Sequence, residues 1–207
     1  MRQVALIVVL SVAVMAAGQP AAAQELPTIP EPVPVTVDPS TTALLVLDIV
    51  SATCPSRPTC VESVPAVADL LAAARDAGAL VVHSNVTASG SMPMPEVTPL
   101  PDEPSITSSA DKFFRTDLED ILRQHGIQTV IIVGTAANGA VLYTTFGSNA
   151  RGFTVVVAED GIAGTTPFDT FLTRYQVLNQ PGPSNPENEP LREGRTTLSR
   201  TDLITFR

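Results

Sequence analysis

One carboxylate in this sequence stands at the end of a nearly continuous apolar segment. Asp48 follows the residues TTALLVL, and the apolar pattern is interrupted at this position. A carboxyl group in such a place can act as a general acid or base when burial raises its pKa or a neighbouring cation lowers it. The alternative is a structural role, in which Asp48 caps a helix end or a loop amide.

A lysine and a histidine are further candidates for chemistry. Lys112, the only lysine of the chain, precedes two phenylalanines. A compact ammonium that can be desolvated does work that a guanidinium does not, so we predict a catalytic Lys112, with chance survival of one lysine as the alternative. His83 ends a second apolar segment and Asn85 follows it. Both are possible pocket residues, although a satisfied strand-end histidine is the structural alternative.

The two cysteines lie close together in the segment CPSRPTC. Cys54 comes six residues after Asp48, and Cys60 closes the segment. Exported proteins oxidise such pairs, so we predict a disulfide between them. A free, nucleophilic Cys54 and a metal or redox role for the pair are the alternatives.

Apolar runs of strand length alternate with segments of helical periodicity along the chain. This alternation predicts an α/β fold with three α/β/α layers around a central parallel sheet. Ligands of such sheets bind at the carboxyl ends of the strands, where Asp48 and His83 are expected. The predicted strands are 41–50, 79–84, 128–134, 153–160 and 196–206.

Helix signals and loops complete the predicted domain. Thr116 and Glu119 have capping-box spacing at the start of one helix, and Pro167 is placed to begin another. A proline-rich loop from about residue 85 to 104 and a polar insert at 181–194 interrupt the pattern. Loops this long are usually functional or disordered. We expect residues 85–110 and 181–194 to shape the pocket mouth.

The first residues predict export. A charged start, an apolar stretch and the exit PAAAQE are typical of a secretory signal peptide over residues 1–23. A membrane anchor is the alternative, although the apolar stretch is short for a bilayer span. A proline-rich arm at 24–40 and one domain at 41–207 follow, in the periplasm or outside the cell. The formal net charge of −9 argues against nucleic acid as a partner.

In this order, the elements resemble the isochorismatase-like hydrolases, also called the cysteine hydrolase family. The resemblance runs from about Thr42 to Phe206. It rests on the segments TALLVLD, KFFRTDLEDILRQHGIQTVIIVGTA, GTAANGAVLYTTFGSNARGFTVVVAEDGIAG and TTLSRTDLI. It implies the isochorismatase-like, Rossmann-like fold and hydrolysis of a small molecule.

The resemblance also implies a site in which one member of the triad is missing. Members of the family use an Asp–Lys–Cys triad, and Asp48 matches the aspartate while Ala140 stands at the cysteine. Lys112 is displaced from the usual lysine position, so only a shifted loop returns it to the site. Backbone amides of Ala136 and Ala140 match an oxyanion hole, next to a cis peptide bond after Thr135. The loop consists of Thr135, Ala136, Asn138, Gly139 and Ala140.

Without the cysteine, two functions follow from the resemblance. One is a cysteine-independent hydrolase with Asp48 as general acid or base, because isochorismatases of this family cleave a vinyl ether without a thiol. The other is a catalytically inactive protein that keeps the pocket and binds a small molecule. We expect no metal, because the aspartate and histidine set of metal-binding members has no counterpart here, and no cofactor. Homo-oligomers are common in the family and are expected here.

Overall fold

A computed structural model of the chain describes residues 25–88 and 90–207. The predicted signal peptide, residues 1–23, lies outside the described residues. Among the residues described, no helix is both long and apolar enough to cross a membrane.

A six-stranded parallel sheet forms the centre of the molecule. Its strands are β2 (Thr42–Leu47), β3 (Leu80–Asn85), β4 (Ser105–Thr107), β5 (Thr129–Thr135), β6 (Thr154–Ala163) and β7 (Thr196–Ser199). Their order across the sheet is β4-β3-β2-β5-β6-β7. All five pairs of neighbours run parallel, as the alternation of strands and helices predicts.

Helices cover both faces of this sheet. Helix α1 (Pro58–Asp76) packs on one face, where its apolar side chains join a core cluster with alternate residues of β2, β5 and β6. The other face meets α2 (Leu118–Gln124), α3 (Leu142–Ala150) and α4 (Pro167–Asn179). Because neighbouring strand residues point to opposite faces, two separate cores form, and the three-layer prediction is confirmed.

The two ends of the described chain form a second, small sheet. Strand β1 (Val35–Val37) lies in the proline-rich arm and pairs in parallel with β8 (Ile204–Phe206). Val35 and Val37 are buried against the same core as α1. The arm is therefore docked on the domain. The predicted last strand, 196–206, was wrong in one respect, because a turn at Thr201–Leu203 divides it into β7 and β8 of different sheets.

The predicted capping box between Thr116 and Glu119 does not form, although the Thr116 hydroxyl accepts a hydrogen bond from the Leu118 amide at 3.3 Å. Helix α2 begins at Leu118, and its N-cap residue Asp117 makes no side-chain cap bond. Glu119 instead pairs with Arg151 at 2.7 Å. A capping box does occur at α4, between Thr166 and Asp169. Spacing alone does not distinguish these cases, because a cap needs the extended N-cap backbone that Thr166 has and Asp117 lacks.

Gly134 lets β5 approach the end of β2. Its φ is +127°, and a Cβ built there would lie 2.0 Å from the carbonyl oxygen of Leu47. Leu47 is the register partner of Gly134 and directly precedes Asp48. The glycine therefore sets the spacing between the strand end that carries Asp48 and the loop that follows β5.

Candidate active site

Asp48 lies at the carboxyl end of β2 and is held by Ser84 of the neighbouring strand β3. It has a left-handed backbone (φ 52°) and is 4% exposed. The Ser84 hydroxyl, on β3, donates to Asp48 Oδ1 at 2.7 Å and accepts from the Asp48 amide at 3.2 Å. Because Leu47 pairs with Ser84 across the two strands, the serine lies beside the carboxylate.

Lys112 reaches the same carboxylate. Its Nζ lies 2.7 Å from Asp48 Oδ2 and also donates to the carbonyls of Ser108 (3.3 Å) and Ser109 (2.7 Å). The side chain is completely buried. Its three N–H donors thus have three acceptors, which a buried ammonium requires.

The loop before α2 explains how a displaced lysine arrives at this position. Phe113 is buried in the core beneath α2 and stacks on Phe153. The backbone amide of Lys112 donates to the Thr144 hydroxyl on α3 at 3.3 Å. Because Phe113 anchors the loop in the core, the preceding side chain, Lys112, can extend towards the end of β2.

Burial dominates the electrostatics of the carboxylate. It raises the pKa of Asp48 above the ordinary value, and the Lys112 ammonium, the Ser84 hydroxyl and the charge of Arg57 offset only part of this effect. Desolvation of the charged form explains the direction, since Asp48 keeps little contact with water. The proton of this carboxyl group is therefore held more tightly than that of an exposed aspartate.

A cavity of about 310 Å³ opens beside Asp48. Thr135, Ala136 and Ala140 of the loop after β5 form one wall. The peptide bond between Thr135 and Ala136 is cis, as predicted. The remaining lining residues are Thr53, Arg57, Val86, Thr87, Ser108, Ser109 and Ala110.

The disulfide-closed segment forms another part of this wall. Cys54 and Cys60 are bonded to each other, which confirms the predicted disulfide, and both are buried. The loop between them carries Arg57, whose Nη1 donates to the Thr53 carbonyl at 2.7 Å. The Thr53 hydroxyl in turn donates to the carbonyl of Asp48. The chain has two cysteines in all, so it contains no free thiol.

The family model for the isochorismatase domain matches residues 42–174, from the start of β2 into α4. The chain belongs to the isochorismatase family. This match includes Asp48, Lys112 and the loop after β5, the three parts of the site that the structure brings together.

Three known proteins are similar to the chain in sequence or in fold. Maleamate amidohydrolase of Pseudomonas putida KT2440 is 30% identical over 149 residues, which are 57% of this chain and 70% of that protein. A cysteine hydrolase from Pseudomonas syringae pv. phaseolicola superposes with a TM-score of 0.69 at 17% identity, covering 86% and 95% of the two chains. N-carbamoylsarcosine amidase from Thermoplasma acidophilum superposes with a TM-score of 0.64 at 22% identity, covering 78% and 97%.

Not every residue predicted from the isochorismatase resemblance lies at the cavity. Asn138 is exposed and donates to Asp169 at 2.9 Å. The Gly139 amide is bonded to the Ala136 carbonyl at 3.0 Å. Neither residue lines the cavity beside Asp48, whereas Thr135, Ala136 and Ala140 do.

His83 and Asn85 also lie away from this cavity. His83 Nε2 lies 2.9 Å from Glu103 Oε2, and Asn85 donates to the Ser91 carbonyl at 3.1 Å. Burial lowers the pKa of His83, although the hydrogen bond to Glu103 opposes this effect. The alternation of a strand explains the difference, because His83 and Ser84 are neighbours in β3 and point to opposite faces.

Sequence reasoning missed Ser84 and Arg57. A hydroxyl at the end of an apolar strand was the available signal for Ser84, but its partner followed only from the pairing of β2 with β3. Arg57 lies in an irregular loop without any periodic pattern. No group of three or more His, Cys, Asp or Glu side chains that could hold a metal ion occurs in 25–88 or 90–207.

Proposed function

We propose that the chain is a hydrolase of a small molecule in which Asp48 transfers a proton and water is the nucleophile. The observation that carries this proposal is the buried Asp48–Lys112 pair, joined at 2.7 Å, beside a cavity bordered by Ala136 and Ala140. Membership of the isochorismatase family supports hydrolysis of a small molecule in general. The cysteine-independent mechanism is the specific part of the proposal.

The absence of a free thiol supports a mechanism without a thioester intermediate. Ala140 offers a methyl group at the position that the family resemblance gives to the nucleophile, and Cys54 is consumed in the disulfide. Covalent catalysis needs a side chain that can attack a carbonyl carbon, and neither sulfur qualifies. Water is therefore the proposed nucleophile, and it adds directly to the substrate.

Asp48 supplies the proton transfer in either of two reactions. For an amide or carbamoyl group, the carboxylate takes a proton from water, the hydroxide adds to the carbonyl carbon, and the proton passes to the departing nitrogen. For a vinyl ether, the carboxylic acid protonates the terminal carbon, and water adds to the resulting cation and returns one proton to Asp48. The hemiketal then collapses to a ketone as its carbon–oxygen bond breaks and its hydroxyl proton passes to the departing oxygen. Because the pKa of Asp48 is raised, its carboxylic acid form persists to higher pH and can donate a proton, and its carboxylate is a stronger base than that of an exposed aspartate.

Lys112 and Ser84 are proposed to orient the carboxylate. Each holds a different oxygen, Oδ2 and Oδ1 respectively, at 2.7 Å. Each carboxylate oxygen retains a further lone pair for water or substrate. The amides of Ala136 and Ala140 are proposed to stabilise negative charge on a substrate oxygen, since backbone donors do not depend on a side chain.

Ala140 favours a second candidate function, a binding protein without turnover. A methyl group in place of the family nucleophile leaves the cavity and its polar wall intact. Such a protein would bind small molecules and release them unchanged. Export is part of either proposal and is supported by the Cys54–Cys60 disulfide, because oxidising compartments favour such bonds.

Replacement of Asp48 by asparagine tests the proposal. We expect the wild-type protein to hydrolyse at least one member of an amide, carbamoyl and vinyl-ether panel, and Asp48→Asn to lower kcat/KM by at least about a hundredfold, as loss of a general acid or base does. A base would lose activity as pH falls through its pKa, and an acid would lose activity as pH rises through it.

Ala140→Cys is the companion variant. It restores a nucleophile beside Asp48 and Lys112, and a gain of amidase activity would show that the remaining site is competent. Undiminished turnover in Asp48→Asn contradicts the proposed mechanism. Ligand-induced stabilisation without turnover in wild type would favour the binding protein instead.

A further inference from the structure

The cavity beside Asp48 contains a second cationic side chain that the proposed proton transfer does not use. Arg57 lies within the loop closed by Cys54 and Cys60 and lines this cavity together with Asp48. Its charge acts on the Asp48 carboxylate, but Lys112, not Arg57, forms the direct ion pair. The role of the guanidinium therefore needs a separate explanation.

Arg57 has no anionic partner in the described part of the chain. Six other arginines there have a carboxylate oxygen within 4.0 Å, and Arg57 has none. Its Nη1 is fixed by the Thr53 carbonyl, and Nη2 donates to none of those residues. Nε also has no partner there, but it is buried, so Nη2 is the nitrogen left to donate to a carboxylate oxygen in the cavity.

The charges around the cavity favour an anion. Asp48 and Lys112 compensate each other at 2.7 Å, so Arg57 leaves an excess positive charge on the wall. The other lining side chains are hydroxyl-bearing or small and apolar, and they supply no charge. This local excess contrasts with the net charge of −9 for the whole chain. One guanidinium matches one carboxylate, whereas a phosphate dianion would be left undercompensated beside Asp48.

We propose that Arg57 determines specificity by binding a carboxylate of the substrate. The substrate is then a small molecule with a carboxylate on one side and the hydrolysable group on the other, facing Asp48. That the bound molecule is a substrate rests on the proposed hydrolase function, whereas the preference of Arg57 for an anion does not. A cavity of about 310 Å³ accommodates a molecule of this size.

The disulfide gives this guanidinium a fixed support. Cys54 and Cys60 flank Arg57 and are buried, and the Thr53 hydroxyl connects the same loop to the Asp48 carbonyl. A rigid support reduces the ordering that binding would otherwise require. It also keeps the distance between the anion position and Asp48 nearly constant, which selects substrates by length.

Matched acid and amide pairs test the preference by calorimetry at pH 7. The probes are succinamate with succinamide, and butanoate with butanamide, so that each pair differs only in the carboxylate. We expect the wild-type protein to bind each acid at least about tenfold more tightly than its amide, as a charge-assisted pair predicts. Arg57→Gln is expected to abolish that preference and to leave the amide affinity unchanged. Arg57→Lys keeps the positive charge but not the planar guanidinium, and it should retain part of the preference for the acids.

Arg192→Gln is the matched control, because Arg192 is an exposed arginine whose pair with Glu189 lies outside the cavity. It should retain the wild-type preference. The inference is overturned if wild type binds the acids no better than the amides, or if a folded Arg57→Gln, verified by circular dichroism, keeps the preference. These measurements need no turnover. A protein that prefers the acids but hydrolyses nothing would contradict the proposed function alone. Hydrolysis without a preference for the acids would contradict this inference alone.

Discussion

At the scale of single residues, the site is a pair of opposite charges whose side chains are almost completely buried. Asp48 is 4% and Lys112 0% exposed. Each charge therefore needs the other to offset the free-energy cost of its removal from water. A buried pair of this kind contributes little net stability, yet removal of one partner is expensive. The pair therefore constrains both positions, whatever the substrate is.

Lys112→Met should show this dependence. The variant leaves the Asp48 carboxylate buried without its cation, and we expect a loss of about 3–5 kcal/mol in the free energy of unfolding at pH 7. Urea denaturation measures it. In the double variant Asp48→Asn/Lys112→Met both charges are gone, so it should be more stable than Lys112→Met alone. If Lys112→Met were as stable as the wild-type protein, the buried ion pair would be contradicted.

At the scale of elements, the position of the site follows from how closely two strand ends approach. Asp48 follows β2, and the loop with Ala136 and Ala140 follows β5. The two strands are neighbours, with Leu47 opposite Gly134. Because Gly134 has no side chain, the carbonyl of Leu47 can lie where a Cβ would otherwise be.

Gly134→Ala tests this contact. The added Cβ would lie 2.0 Å from Leu47 O and within 2.8 Å of two more backbone atoms, so β2 or β5 must shift. We expect a loss of more than about 4 kcal/mol in unfolding free energy, or failure to fold. Gly126→Ala is the control, because φ is +67° there but nothing lies within 4 Å of the new Cβ. It should cost only about 1–2 kcal/mol. Equal losses in both variants would refute the steric explanation.

Some strands could be predicted from the sequence, whereas others carry too little signal. The central strands β2, β3, β5 and β6 were predicted because each is a continuous apolar run, which a parallel strand buried on both faces needs. Strands β1, β4 and β8 have three residues each and carry no such signal. Lys112 was singled out by its chemistry, and the structure brings its ammonium to Asp48. Its contact with Asp48 depends on how Phe113 is buried in the core, which spacing along the chain does not reveal.

At the scale of the whole molecule, one acidic side chain outside the Asp48 cavity joins segments that are distant in the sequence. Glu103 forms a two-bonded pair with Arg75 at the end of α1, contacts His83 of β3 and accepts from the Leu100 amide. Burial opposes its ionisation, but these hydrogen bonds prevail and lower its pKa from 4.5 to about 2. Its contribution to stability is therefore complete above pH 4.5 and is lost as pH falls towards 2.

Glu103→Gln should weaken this dependence. We expect a loss of about 2 kcal/mol in unfolding free energy at pH 7 and a shallower decline between pH 4.5 and the acid limit. Urea denaturation across this pH range measures both effects. Glu119→Gln is the control, because its side chain is 43% exposed and its pairs with Arg123 and Arg151 lie on the surface. Identical pH profiles for Glu103→Gln and wild type would contradict the assigned hydrogen bonds.

The small sheet of β1 and β8 has a consequence for how the chain is made. In the part of the chain that the structure describes, residues 35–37 pair with residues 204–206, and the Arg207 amide donates to the Val37 carbonyl. During synthesis residues 35–37 leave the ribosome well before residues 204–206, so the pairing of β1 with β8 cannot form until the second segment has appeared. This contact joins segments that are far apart in the sequence, and such contacts are slow to form because the entropy of closing a long loop opposes them.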